Sequence, residues 1–161
     1  MVEHTVKFIV DHMLGKLARY LRMLGVDTVY FTQTDVAGLI EQASLEKRII
    51  LSRNTKLKHI DGLINFVFIN DDLPDKQLSE VLTHFNIHIS PDRLFRRCLT
   101  CNQKLVVANP EEVEGKLPPY ILEIHKKFYF CPQCRKVYWE GSHLKKMKEL
   151  IGKSLGEKNS F

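Results

Sequence analysis

Four cysteines are the residues whose type and spacing indicate chemistry most directly. They form two Cys-x-x-Cys pairs separated by 29 residues, Cys98 with Cys101 and Cys131 with Cys134. In a reducing compartment such pairs predict a metal site rather than disulfides. Four thiolates presented by two tight turns form a closed tetrahedral cage, which is typical of structural zinc. A rubredoxin-like iron site and a dithiol redox motif are the rival interpretations.

A second candidate group consists of polar residues that come shortly after apolar, β-branched segments. Its members are Asp11, Asp35, Asn54, Asp71 and Asp72. Carboxylates that meet at one edge of a sheet repel one another unless they share a cation, and Mg²⁺ or Mn²⁺ prefers such oxygen ligands. An ion held in this way can activate water for attack on a phosphodiester. The alternative for any one of these acids, Asp35 and Asp72 above all, is a helix N-cap.

The elements that must position these side chains alternate between strand and helix patterns. "VKFIV", "DTVYF", "RIILS" and "NFVFIN" have the character of buried strands. Helical spacing predicts helices from Leu14 to Leu24, in "DVAGLIEQASLEK" and in "DKQLSEVLTHF", with Gly25 as a left-handed C-cap of the first. This order predicts a parallel, three-layer α/β fold whose crevice lies at the carboxyl ends of the strands. Asp27 stands near the start of its strand and falls at the opposite edge.

The pattern changes near Pro91, after which short strands, turns and the cysteine pairs dominate. We therefore predict an α/β domain over residues 1–90 and a small metal-binding ribbon over residues 91–161. The ribbon segment ends in a basic helix and a tail rich in Gly, Ser, Lys and Asn, a composition that usually frays.

Positive charge is concentrated in the cysteine-containing half. Residues 91–161 carry 14 Lys and Arg against 8 Asp and Glu, whereas residues 1–90 carry 10 against 11. A net charge of +6 in one segment favours a polyanionic partner such as nucleic acid, although a basic surface can also serve solubility alone. The candidates for phosphate contact are Lys126, Lys127, Arg135, Lys136, Lys145 and Lys146, together with Lys16, Arg19 and Arg22 opposite the leucine stripe of the first helix.

Aromatic residues interleave with these cations around the second cysteine pair. Phe128, Phe130 and Tyr138 are placed either to stack on unpaired bases or to fill the small core of the ribbon, and we favour the core. No apolar run approaches the ~20 residues that span a bilayer. The first residues lack a signal-peptide pattern. These features predict a cytoplasmic protein without a membrane partner.

Several motifs together resemble a known family. "FIVDHMLGKLARYLRMLGVDT", "ASLEKRIILSRN", "RRCLTCN" and "FYFCPQCRKVYWEGSH" are similar, in order and spacing, to motifs of the Mut-seven C-terminal RNase domain family, a PIN-like nuclease group with an appended zinc ribbon. The resemblance covers about residues 8–147. It implies a PIN-like fold, an RNA substrate and a divalent-metal active site that contains Asp11. It also implies that the four cysteines are zinc ligands.

One position departs from the family pattern. The family usually has Thr-Arg-Asp after the third strand, where this chain has Ser52, Arg53 and Asn54. An amide oxygen can contact a hard cation but brings no charge. We therefore predict a metal-dependent endoribonuclease for single-stranded RNA in which Asp11, Asp35 and Asp71 or Asp72 bind the ion and Asn54 weakens the site.

Two other functions are compatible with the same residues. The first is a catalytically inactive RNA-binding or ribosome-associated protein, with ribosomal or transfer RNA as its partner. The second is a ribbon of the protein-interaction or transcription type, which explains the cysteines but leaves the acids unexplained. The sequence predicts neither the oligomeric state nor which RNA is bound.

Overall fold

The first half of the chain alternates strands and helices in the computed structural model, which describes residues 6–155. The elements are β1 (Lys7–Val10), α1 (Gly15–Met23), β2 (Asp27–Tyr30), α2 (Val36–Glu46), β3 (Ile49–Ser52), β4 (Phe66–Phe68) and α3 (Pro74–His84). Short 3₁₀ turns follow β1 at His12–Leu14 and β3 at Thr55–His59. The four predicted strands and three predicted helices are therefore all present, with ends shifted by a few residues.

The four strands form one parallel sheet in the order β2-β1-β3-β4. Phe8 of β1 pairs with Thr28 of β2 on one side and with Ile49 of β3 on the other. Because the chain moves outward from β1 to β2 and then returns to β3, the strand order reverses between β1 and β3. In open α/β sheets this switch point is where ligands bind, outside the carboxyl ends of the strands.

Helices cover both faces of the sheet, as the alternation of buried side chains requires. Phe8 and Val10 pack on the face that carries α1 and α3, whereas Ile9 and Ile50 pack on the face that carries α2. Successive residues of a strand point to opposite faces, so a continuous apolar run supplies both cores. The predicted three-layer α/β fold is confirmed.

Gly25 ends α1 in a conformation that only glycine adopts easily. Its φ is 80°, in the left-handed region predicted for this C-cap. A Cβ atom here would also lie 2.4 Å from the carbonyl oxygen of Arg93. Gly25 therefore permits both the turn into β2 and the close approach of the segment that leads to the first cysteine pair.

The second half of the chain forms a three-stranded antiparallel sheet and two helices. Its elements are β5 (Val106–Ala108), α4 (Pro119–Ile124), β6 (Phe128–Phe130), β7 (Val137–Trp139) and α5 (Ser142–Leu155), with the sheet order β5-β6-β7. Phe128 is fully buried in a small core with Ala108 and Val113. The core function favoured for Phe128 from the sequence is thus confirmed.

The main hydrophobic core extends across residue 90. Leu144, Met147 and Ile151 of α5 belong to the same cluster as Phe8 of β1, and α5 packs on α3. The division into residues 1–90 and 91–161 stays a prediction. The tail predicted to fray, residues 156–161, lies outside the described part of the chain. Within residues 6–155, no helix combines the length and the apolar character needed to cross a bilayer.

Candidate metal centre and active-site crevice

The two cysteine pairs lie in turns of matching geometry. The N–H of Asn102 donates to the carbonyl of Cys98 at 3.0 Å, and the N–H of Arg135 donates to that of Cys131 at 2.9 Å. The residue after each pair is left-handed, with φ of 66° at Asn102 and 67° at Arg135. Each turn therefore folds the chain tightly enough to present both of its sulfurs on one side.

The four sulfurs converge on one point. All four Sγ atoms lie within 4.8 Å of one another, with Cys98 and Cys134 at 3.4 Å and Cys101 and Cys131 at 3.5 Å. A tetrahedral site with Zn–S bonds of about 2.3 Å separates its sulfurs by roughly 3.8 Å. Small outward shifts of the sulfurs would make this group a zinc site, so the four cysteines could bind a zinc ion.

Hydrogen bonds and burial shift the pKa values of the cysteine thiols. Burial opposes ionisation of Cys98, but the Tyr138 hydroxyl, 3.0 Å from its sulfur, and nearby backbone N–H groups outweigh burial and lower the pKa of Cys98 to about 6. Burial raises the pKa of Cys101 to about 12. Cys98 is therefore mostly ionised at pH 7, whereas Cys101 must release a proton when it ligates a metal. Tyr138 serves the cysteine cluster, which agrees with its predicted place inside the ribbon.

Arg22 attaches the first cysteine turn to α1. Its Nε donates to the carbonyl of Thr28 at 2.8 Å, and its Nη1 donates to the carbonyls of Leu99 at 2.9 Å and Thr100 at 3.1 Å. The side chain is buried, and burial lowers its pKa. Backbone carbonyls occupy Nε and Nη1 of this buried side chain, and contact of Arg22 with substrate stays a prediction. The position of Arg22 four residues after buried Ala18 was the signal of its burial in the sequence.

Asn102 completes this attachment at the edge of β2 that no other strand pairs with. Its Oδ1 accepts from the N–H of Thr28 at 3.1 Å, and its Nδ2 donates to Asp27 at 2.7 Å. Asp27 also pairs with Arg48 at 2.7 Å and Arg97 at 3.4 Å. Burial raises the pKa of Asp27, but its bonds to Arg48 and Asn102 outweigh burial and the pKa is lowered. Asp27 thus lies at the amino end of β2, outside the acid group, as predicted.

Asp11 lies at the switch point of the sheet, directly after β1. The side chain is 3% exposed, its Oδ1 accepts from the N–H of Met13 at 2.9 Å, and its Oδ2 accepts from the hydroxyl of Ser52. Ser52, the last residue of β3, also accepts from the N–H of Asn54 at 2.9 Å. Ser52 therefore contacts both the carboxylate of Asp11 and the backbone N–H of Asn54, a role that no sequence pattern predicted.

The other predicted acids serve first as caps of backbone N–H groups. Asp35 accepts from Ala37 and Gly38 at the start of α2, which is the N-cap alternative considered for it. Asp71 accepts from Leu73, and the amide oxygen of Asn54 accepts from Lys56.

These caps do not combine into a compact cluster of acids. Asp72 is exposed. Among residues 6–155, the four cysteines are the only group of three or more His, Cys, Asp or Glu ligands within 4.8 Å. The predicted convergence of Asp11 with Asp35 and Asp71 or Asp72 is not present as such a group, so their catalytic roles stay predictions.

The segment after β4 is held by two charged side chains that the sequence analysis did not single out. Arg53 Nη1 donates to the carbonyls of Ile69 at 3.2 Å, Asn70 at 2.6 Å and Asp71. Glu80 of α3 accepts from the N–H of Asn70 at 3.0 Å. Arg53 thus holds the backbone of Asp71 near the end of β3, while the carboxylate of Asp71 accepts from the N–H of Leu73.

The remaining predicted cations are on the surface. Exposed positions are occupied by Lys16, Arg19, Lys126, Lys127, Arg135, Lys136, Lys145 and Lys146. Arg135 lies over the ring of Phe130, 5.2 Å from its centroid, and Lys136 donates to the hydroxyl of Thr100 at 2.9 Å. These residues are accessible to a polyanion, and their contact with substrate stays a prediction.

A further group of cations surrounds a cleft at the amino end of the sheet. This cleft of about 630 Å³ is lined by Lys7, Arg93, Arg96, Arg97 and Lys104, among others. Four of these cations lie within residues 93–104, and the packing of the first cysteine turn against β2 places them near Lys7 and Asp27, which no sequence pattern predicted.

Comparison with known proteins gives one family match and two curated relatives. The model of the Mut7-C RNAse domain matches residues 6–151. "Exonuclease mut-7 homolog" of Homo sapiens is 35% identical over 101 residues, which are 60% of this chain and 12% of the relative. "Exonuclease mut-7" of Caenorhabditis elegans is 29% identical over 130 residues, 73% of this chain and 14% of the relative. This chain thus spans less than a sixth of either relative, and no solved structure matches it.

Proposed function

The chain belongs to the Mut7-C RNase domain family, and we propose that it is a metal-dependent endoribonuclease that acts on single-stranded RNA. The observation that carries the proposal is the position of Asp11. It is a buried carboxylate at the switch point between β1 and β3, held by the hydroxyl of Ser52, which also accepts from the backbone N–H of Asn54. Asp11 also caps the 3₁₀ turn at His12–Leu14, and its position at the ligand-binding edge of an α/β sheet is what supports a second role for it.

The residues at this edge fit a weakly held divalent cation. Each Asp11 oxygen accepts one hydrogen bond and retains a lone pair, as does the amide oxygen of Asn54. Mg²⁺ commonly keeps several waters and uses only one or two protein carboxylates, so a cluster of three acids is not required. When bound, such an ion lowers the pKa of water and offsets charge on a phosphate.

The chain's own residues position the RNA. Exposed Lys16 lies in the first turn of α1, directly after the Asp11 turn, and Arg19 lies one turn further along the same helix. Both can contact phosphates that flank the scissile bond. We further propose that the four cysteines hold zinc, and that this zinc folds the ribbon without taking part in the reaction because four thiolates leave no open position.

The activity is tested with the full chain, a labelled single-stranded RNA and Mn²⁺. We expect weak cleavage that Asp11→Asn abolishes and that Asn54→Asp increases by about tenfold or more, because a restored carboxylate adds charge beside an ion that water screens poorly. Exposed Asp61 provides the control, since Asp61→Asn removes a carboxylate that neither bonds to Asp11 nor follows a strand end. Equal activity of the parent and Asp11→Asn would refute the assignment.

The second candidate is RNA binding without cleavage. It is favoured by the capping roles of Asp35, Asn54 and Asp71 and by the lack of a three-acid group within residues 6–155. The same experiment separates the two functions. If Asn54→Asp binds RNA and remains inactive with Mn²⁺ supplied, the binding function replaces the nuclease.

A further inference from the structure

A cleft of about 780 Å³ lies where α1, the ribbon and α5 meet. α1 contributes Arg19, β7 contributes Trp139, α4 contributes Tyr120 and α5 contributes Lys146 to its walls. We call it the tryptophan cleft. Its volume is within the range of pockets that enclose a small organic group. None of the sequence patterns predicted it, because its walls come from four separate elements.

The charge of the lining is of one sign. The titratable residues in the walls are Arg19, Lys146, His125 and three tyrosines, and no Asp or Glu is among the lining residues. Arg19 and Lys146 are exposed and therefore available to an anion. A cleft with cations at its rim and no carboxylate selects a negatively charged ligand.

The aromatic rings that line the cleft are the second feature that indicates the type of ligand. Tyr120 is 59% exposed, so more than half of its surface is available to a ligand. Trp139 packs against the ribbon core and also lines the cleft. Its indole lies so close to Gly141 that a Cβ atom at that position would be 2.9 Å from Nε1, so the glycine allows the ring to occupy this place. Flat rings beside cations match an unpaired base and its phosphate.

The cleft is connected to the Asp11 site through α1. Arg19 lies four residues, about 6 Å along the helix axis, after Gly15, and the Asp11 turn immediately precedes Gly15. Exposed Lys16 lies between them. A single strand that follows this face of α1 therefore meets Asp11, Lys16, Arg19 and the rings in turn.

We propose that the tryptophan cleft binds one unpaired nucleobase of single-stranded RNA, with the base stacked on Trp139 and Tyr120 and its phosphate contacted by Arg19 and Lys146. This proposal rests on the proposed function, since it supplies a base-binding subsite to one side of the Asp11 site. Stacking is tolerant of sequence because every base has a flat face.

The chain has a single tryptophan, so its fluorescence reports on this cleft alone. The probe is a short oligouridylate titrated into the full-chain Asp11→Asn variant, which prevents cleavage during the measurement. We expect saturable quenching of Trp139 whose midpoint agrees with the affinity measured separately by anisotropy of labelled RNA. Inorganic polyphosphate, a polyanion without bases, should compete for the cations but leave the indole emission nearly unchanged.

Variants of exposed residues test the contacts with little risk to folding. Tyr120→Ala should weaken RNA binding about tenfold, whereas Tyr120→Phe keeps the ring and should retain the affinity. Lys146→Ala should weaken binding and reduce the salt dependence by about one phosphate contact. Lys153→Ala is its matched control, because exposed Lys153 lies two turns further along α5 and does not line the cleft.

Different outcomes would reject base binding in the cleft and the proposed nuclease function. RNA that binds without changing Trp139 emission, or with equal affinity in Tyr120→Ala, rejects the cleft, while Asp11-dependent cleavage can still stand. Quenching by RNA in a protein whose parent form never cleaves retains the cleft and rejects the nuclease. Quenching by an oligoglutamate peptide but not by oligouridylate would assign the cleft to an acidic protein partner and overturn the proposal.

Discussion

Ser52 connects the carboxylate of Asp11 with the backbone N–H of Asn54, two groups that lie more than forty residues apart in the chain. It is fully buried, donates to Asp11 and accepts from the N–H of Asn54 at 2.9 Å. One hydroxyl thus fixes the orientation of the carboxylate and begins the turn that presents Asn54. A serine at the end of a buried strand, where an apolar residue would be expected, was the only hint in the sequence.

Replacement of the Ser52 hydroxyl should lower both the stability of the fold and the apparent affinity for Mn²⁺. Ser52→Ala leaves Asp11 Oδ2 and the N–H of Asn54 without their partner, which should lower the free energy of unfolding by about 1–3 kcal/mol. We also expect a higher Mn²⁺ concentration for half-maximal cleavage, because Asp11 is no longer confined. Ser52→Thr retains the hydroxyl and should restore the Mn²⁺ dependence. Thermal melts and Mn²⁺ titrations measure the two effects, and an Ala variant that matches the parent in both would contradict this role.

At the scale of elements, local patterns predicted the strands and helices well because hydrophobic periodicity reflects burial on one face. Gly25 was also predicted correctly, since its left-handed φ of 80° follows from its place after a helix. The hydrogen bonds of Arg22 and Asn102 were not predicted. They depend on contact of the β2 region with a turn that lies more than seventy residues later. The tryptophan cleft was missed for the same reason. Contacts between distant elements leave no periodic signal.

The junction between β2 and the first cysteine turn should lose stability in acid through Asp27. Its pKa is lowered from the ordinary value of 3.8, so its ionised form stabilises the fold above that pH, and this contribution is lost as the pH falls through the lower pKa of the folded state. Asp27→Asn should therefore melt several degrees below the parent at pH 7, and the difference should shrink towards pH 3.

Comparison of the two melting curves at each pH removes the effect of acid on the cysteines, which both proteins share. Exposed Glu123 supplies the control, since Glu123→Gln should melt like the parent at every pH. A constant difference between the parent and Asp27→Asn from pH 7 to pH 3 would show that the effect of the substitution is not due to charge.

For the whole molecule, the cysteine site and the α/β sheet are joined by one core. Phe95 stacks on Tyr129 with ring centroids 5.9 Å apart, and both rings pack in the cluster that contains Phe8. The change of composition near residue 91 predicted an α/β domain followed by a ribbon, and composition alone does not reveal which side chains share a core. Stability of the two halves should therefore be coupled.

Removal of zinc should consequently destabilise the entire chain. We expect one equivalent of zinc in the purified protein, and we expect a chelator or Cys98→Ser to lower the melting temperature by ten degrees or more in a single transition, since structural zinc contributes folding free energy directly. Far-ultraviolet circular dichroism and Trp139 emission should report the same midpoint. Two separate transitions, with the α/β part unchanged, would instead support independent domains over residues 1–90 and 91–161.

The packing of α5 on α3 has a consequence for how the chain reaches its native state. Leu144 and Met147 cover apolar side chains of an element that is synthesised about sixty residues earlier. Until α5 emerges from the ribosome, the face of α3 that it covers remains open to water. Contacts of such long sequence separation slow folding, because the entropy of closing the intervening chain is lost before the contacts form. We therefore infer that folding is completed only after α5 has been translated. Nascent chains without α5 expose an apolar face that favours aggregation.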